Sequence, residues 1–274
     1  MVKEFNKEEL TEKAHLVRES ILRMSANGGA FTGASLSCAD IILFLFNNFN
    51  RINENPADPY DKDYFFLSKG HAVPALYAVF AEIGLLEKDR LDNHLKSNDY
   101  IYWHPNVQIP GVDFHSGSLG HGLPVAVGVA IDMKISGSDK RSIVMTGDGE
   151  LNEGSNWEAI MIAASKKLDN LVLIIDRNKF QANQETENLI PLEPLDEKFR
   201  TFGWEVSMID GHDFEDIKEA FDKLPLASGK PNVIIANTTR GKGVPSIENK
   251  WNKWYCMFDE SELSELITEL KQNN

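Results

Sequence analysis

SIVMTGDGELNEGSNWEAIMIAASKKLDNLVLIIDRN, residues 142–178, holds two near-continuous apolar runs separated by a polar, glycine-flanked turn. Ser142–Thr146 and Leu171–Ile175 are short and apolar without alternation, the composition of strands covered on both faces. Between them, Ser155 followed three residues later by Glu158 reads as a capping box opening a helix to about Lys167. Strand, helix and strand at this spacing imply a right-handed crossover that sets two parallel strands side by side. The expected fold class is α/β, a mostly parallel central sheet with helices on both faces.

Gly147-Asp148-Gly149 falls just past the first of these strands, and Asn178 just past the second. Open parallel sheets place ligands at that carboxyl edge. The glycines let the backbone turn sharply and approach a ligand, while Asp148 presents a hard oxygen. With the strands adjacent, Asp148 and Asn178 can share one Mg²⁺ or Ca²⁺, with carbonyl, water and phosphate oxygens completing the shell. A diphosphate needs such an ion, because its own oxygens repel one another. The alternative reading of Gly147–Gly149 is an ordinary turn.

Working outward, Lys7–Met24 has helical apolar spacing, and Gly28, Gly29 and Gly33 suggest a flexible loop. A helix is expected over Ser37–Asn47, a loop at Pro56 and Pro59, a strand at Tyr64–Leu67, and a helix beyond Ser68-Lys69-Gly70-His71 to about Ile83. Leu123–Met133 reads as a helix whose Ala126, Gly128 and Ala130 suit close packing. Val233–Ala236 is a further strand, and Glu260–Asn274 an acidic terminal helix with a frayed end. The whole chain, residues 1–274, is expected to form one domain with an N-terminal helical region.

Composition narrows the function classes. Of 274 residues, 42% are apolar and 26% charged, an ordinary soluble balance. Lys plus Arg number 28 against 42 Asp plus Glu, a formal charge of −14, which disfavours nucleic acid and anionic membranes. The polar start resembles no signal peptide, and no run of eighteen apolar residues suggests a membrane span. Cys38 and Cys256 fit no metal or redox motif, so free thiols in a cytoplasmic protein are expected. Gly241-Lys242-Gly243 lacks the spacing of a nucleotide-binding loop. His71, His104, His115 and His121 match no zinc signature. In glycine-rich loops they suit phosphate or substrate contacts, with a plain structural role as the alternative.

Four stretches carry a resemblance: LSKGHAVPALYAVFAEIG at 67–84, PGVDFHSGSLGHGLPVAVGVA at 110–130, residues 145–180, and TTRGKGVPSIEN at 238–249. Together they resemble the N-terminal, diphosphate-binding half of transketolase, from about Lys13 to Tyr255. The GDG-to-Asn signature is general to thiamine-diphosphate enzymes, and the SKGHA and GSLGHG blocks narrow it. The resemblance implies Asp148, Asn178 and the Phe180 carbonyl as metal ligands. It implies Gly149, Gly117, Leu119, His71, Glu153 and Asn178 at the cofactor. His71 and His104 would contact substrate. Glu153 and Glu158 would link active sites through the subunit interface and so serve catalysis.

Two positions depart from the family. Phe31 stands where transketolases carry a histidine, and Trp254-Tyr255 where they carry Trp-His. The implied cofactors are thiamine diphosphate and Mg²⁺, or Ca²⁺. The resemblance places the glutamate that protonates the pyrimidine ring, and most substrate-phosphate contacts, in a second domain expected on another chain. A separate pyrimidine-binding subunit is therefore expected as partner, in an α2β2 assembly acting on a ketose or 2-oxo donor and an aldehyde acceptor. The expected activity is transfer of a two-carbon ketol unit. The alternatives are an acyloin-forming carboligase using a donor such as pyruvate, and a non-catalytic regulatory partner.

Overall fold

The computed structural model describes residues 4–49 and 59–273, so Pro56, the first three residues and Asn274 lie outside the described residues. The elements are α1 (Lys7–Ala26), α2 (Thr32–Phe44), β1 (Tyr64–Leu67), α3 (Val73–Ile83), α4 (Gly122–Ile135), β2 (Ser142–Gly147), α5 (Gly154–Ser165) and β3 (Leu171–Arg177). Then follow β4 (Phe180–Gln181), β5 (Gln184–Glu185), α6 (Thr186–Leu189), α7 (Leu195–Thr201), β6 (Glu205–Asp210), α8 (Phe214–Asp222), β7 (Asn232–Asn237) and α9 (Glu260–Gln272). The main sheet has order β1-β2-β3-β7-β6 and is parallel at every pairing. β4 and β5 form a small antiparallel ribbon.

The apolar runs are continuous because both faces are covered. Along β3, Val172 and Ile174 join the core shared with α1, α2 and α3, while Leu171, Leu173 and Ile175 join that shared with α4, α5 and α7. That is the period-two alternation of a strand with two apolar faces. Truncating Ile174 to Ala would cost about 2–5 kcal/mol, the usual range for such a cavity.

Several sequence expectations are corrected. α5 begins at Gly154 with Glu153 as its N-cap, and no side chain caps it. Ser155 Oγ instead donates to the Gly120 carbonyl at 2.7 Å, so the expected capping box is absent there. A capping box does open α9, between Asp259 and Glu262. α2 starts at Thr32, five residues before the expected position, and takes in Gly33. The stretch before it is tied down by paired backbone bonds between Ala30 and Cys256, both 2.9 Å. Gly128 is exposed, and a Cβ there would meet nothing within 4 Å among the described residues. Thr32–Phe49 does reach the length and apolarity of a membrane span, but 89% of it is buried inside the fold, which makes it a core helix. Cys38 and Cys256 are free and buried, as expected.

Candidate active site

Register sets the site. Gly147 pairs with Asp176 across β2 and β3, so Asp148 and Asn178 emerge together at the carboxyl edge. Ser68 and Lys69 leave β1 at that edge, and Thr238–Arg240 leave β7 there. The edge opens into a cleft of about 210 Å³ whose lining includes Lys69, His71, Leu119, Gly149, Asn178 and Phe180. Trp254 closes one side.

Asp148 is fully buried just behind this lining. Its Oδ2 accepts from Arg177 Nη1 at 2.8 Å and the Lys179 amide at 2.6 Å, and its Oδ1 from the Gly149 amide at 2.7 Å. Burial nonetheless outweighs these donors and pushes the carboxyl up to about 6. Asn178 Oδ1 accepts from the Phe180 amide at 3.0 Å, and its Nδ2 donates to Asp176 at 2.7 Å. A Cβ on Gly149 would meet Gln181 Cβ at 2.6 Å, so only glycine fits that approach.

The two histidines stand together. His71 and His104 have ring centroids 4.8 Å apart in an edge-on arrangement. Burial, then His104 and Lys69, bring the His71 imidazole down to about 4; burial lowers His104 as well. Both are therefore neutral at pH 7. Because folded His71 resists protonation, stability should fall as pH drops from about 6.5 to about 4, where only the unfolded chain takes up that proton. His71→Gln should flatten this slope in thermal melts followed across that window.

Phe31 and Tyr255 enter the same cluster. The Phe31 ring lies 4.6 Å from His71, 5.0 Å from Trp254 and 5.4 Å from Tyr255. Tyr255 turns its hydroxyl to the Gly28 carbonyl at 3.0 Å, so Trp254, not Tyr255, faces the cleft. Gly117 has φ +139°, and a Cβ there would meet His104 Cδ2 at 2.6 Å. Gly117→Ala is expected to displace His104 and cost about 1–3 kcal/mol through backbone strain. Denaturant melts check the cost, and the His104 imidazole resonances check the displacement.

Glu153 and Glu158 do not line the cleft and are exposed on the chain. His115 and His121 are exposed too. Among the described residues no group of three or more His, Cys, Asp or Glu is placed to hold a metal ion.

Sequence reasoning missed a buried charged layer under the cleft. Asp176 accepts from Lys69 Nζ, Ser37 Oγ, Asn178 Nδ2 and Thr238 Oγ1. Burial alone would lower the Lys69 ammonium, but Asp176 wins and holds it above its ordinary value. Glu150, 3% exposed, accepts from Ser68 Oγ and from the Gly120 and Gly147 amides, so one carboxylate braces three site loops. Burial raises its carboxyl against those donors. Charged residues directly after an apolar strand, as in Asp176-Arg177-Asn178, were the available signal.

The residues fit an anionic ligand with its cation. Arg240 is 2% exposed, its guanidinium lies over the Phe180 ring, and its Nε and Nη2 have no partner. Burial brings it down to about 10. His104 Nε2 is likewise buried without a partner. Buried donors lacking acceptors carry a free-energy cost that a bound anion would remove. Asp148, Asn178 and the Phe180 carbonyl are the groups whose oxygens would hold a cation there.

Comparisons with known proteins agree with this geometry. The profile described as transketolase, thiamine diphosphate binding domain, matches residues 16–273. An apulose-4-phosphate transketolase subunit of Actinobacillus succinogenes is 41% identical over 271 residues, 96% of each chain. A 6-deoxy-6-sulfo-D-fructose transketolase subunit of a Clostridium species is 34% identical over 267 residues, covering 96% of this chain and 97% of its own. Among solved structures, transketolase from Campylobacter jejuni superposes with a TM-score of 0.84 at 30% identity, covering 98% of this chain and 43% of that one. The chain thus spans about two fifths of a solved transketolase, and nearly all of those subunits. A thiamine-diphosphate cleft on a parallel sheet, matched along almost its full length, makes this chain a member of the transketolase family, as its thiamine diphosphate binding domain.

Proposed function

We propose that the chain is the diphosphate-binding subunit of a two-chain transketolase that moves a two-carbon ketol unit from a ketose to an aldehyde. The observation carrying this reading is the matched length: relatives named as transketolase subunits align along nearly all of both chains. Thiamine diphosphate would supply a ring carbon that adds to the donor carbonyl and holds the electrons of the broken C–C bond. Asp148, Asn178 and the Phe180 carbonyl would hold Mg²⁺, or Ca²⁺, against the diphosphate. Gly149 and Gly117 would let the backbone approach the cofactor, and Leu119 would seat its ring. Neutral His71 and His104 would hydrogen-bond the donor oxygens, a positioning that stabilises charge as it develops. Exposed Glu153 and Glu158 would act at the subunit interface, in an α2β2 assembly. Two buried free thiols fit a cytoplasmic setting.

The Phe31–Trp254 wall beside His71 favours a second reading on one point, a donor with a less hydroxylated end, such as pyruvate. The assembled enzyme should be given phosphorylated ketoses, unphosphorylated ketoses and pyruvate, each with an aldehyde acceptor. Products lengthened by two carbons from a ketose phosphate support ketol transfer. Turnover of pyruvate alone, with CO₂ release, would replace it with acyloin formation.

A further inference from the structure

We propose that Asp176 is a positioning residue whose carboxylate decides which end of the Asn178 amide faces the cation site. The inference rests on reading Asn178 as a metal ligand. Asp176 and Asn178 lie two apart at the end of β3 and project to the same face. Asp176 is fully buried and only accepts hydrogen bonds: Oδ2 from Lys69, from Ser37 at 2.6 Å and from Asn178 at 2.7 Å, and Oδ1 from Thr238.

A carboxylate so placed repels a carbonyl oxygen, so the amide must turn Nδ2 toward it. Asn178 Oδ1 is then left on the other side, where the Phe180 amide donates to it at 3.0 Å. Flipping the amide would set oxygen against oxygen at Asp176 and N–H against N–H at Phe180. Both ends therefore specify one orientation, the one that presents an oxygen to a cation. An unconstrained asparagine offers its nitrogen, which cannot ligate Mg²⁺, as readily as its oxygen.

The same carboxylate pairs with Lys69, and removing it would strand a buried ammonium, which is itself destabilising. The test separates these roles by a double-mutant cycle. Mn²⁺ affinity is measured by electron paramagnetic resonance, with saturating thiamine diphosphate, on the full chain in its assembled enzyme. The variants are D176N, K69M, D176N/K69M and N178A. D176N/K69M removes both members of this buried pair and so strands neither charge, which keeps it folded even if D176N is not. D176N/K69M should bind Mn²⁺ about 10–100-fold more weakly than K69M, the range for losing a group that orients a ligand. Equal affinity for D176N/K69M and K69M would overturn the proposal, because Asp176 would then act only through Lys69. Wild-type affinity in N178A would overturn it differently, by removing Asn178 from the metal site.

Discussion

Purified on its own, the chain is expected to show no ketol transfer above background, and mixing with its partner subunit should create the activity. The reason is an inventory of surfaces. Asn178 and Phe180 line the cleft at the carboxyl edge, with buried Asp148 and Arg240 beside it, as candidate groups for the diphosphate and its cation. In the proposed reading Leu119 seats the cofactor ring from this side, and the rest of the ring's surface is left to the partner subunit. α5 leaves Met161 50% and Ile162 47% exposed near Glu158, and Leu189 and Ile190 are 45% and 52% exposed. These two pairs of exposed apolar side chains are the surface the expected partner would cover. Mass by light scattering and donor turnover, before and after mixing with thiamine diphosphate and Mg²⁺, provide the test. Full turnover by these 274 residues alone would remove the two-chain reading.

What the sequence made legible follows from periodicity. β2, β3 and the placing of Asp148 and Asn178 at one sheet edge could be read because buried parallel strands leave unbroken apolar runs, and adjacency in the sheet then follows from the crossover. β6 was missed because it is an edge strand: Val206 and Ile209 are buried while Met208 is 55% exposed, so no continuous run shows. The layer of Lys69, Asp176, Glu150 and Arg240 was missed for a different reason. A buried ion pair has the same letters as a solvated surface, and only tertiary contact separates them. The misplaced cap of α5 shows how local signals yield to tertiary ones. Ser155 has the right residue type, but Gly120 takes its hydroxyl. Phe31 and Tyr255 were legible as departures from a family pattern, which Trp254 keeps. The closing of Phe31 and Trp254 on His71 as one aromatic wall required the fold.

Asp148→Ala is expected to weaken Mg²⁺-dependent thiamine diphosphate binding by at least about 100-fold, the upper end of what losing a group behind a metal ligand costs. The carboxylate is fully buried, and a Cβ alone cannot replace its two oxygens. Its removal also frees the Lys179 and Gly149 amides, which hold the Asn178 and Gly149 loops in place. The chain should still fold, because Arg177, the cation left behind, keeps Glu187 at 2.7 Å and Glu193 at 2.9 Å. A buried charge with two remaining partners is not stranded, so the penalty stays below the roughly 3–5 kcal/mol of a pair broken outright. Asp148→Asn is the sharper companion. It keeps the shape and one oxygen, but must turn an amide N–H toward one of three donors, so its loss of affinity should approach that of alanine. Calorimetric titration of the assembled enzyme with thiamine diphosphate, with Mg²⁺ and with EDTA, separates metal-dependent binding from the rest. Wild-type binding by both variants, with unchanged circular dichroism, would take Asp148 out of the cation site.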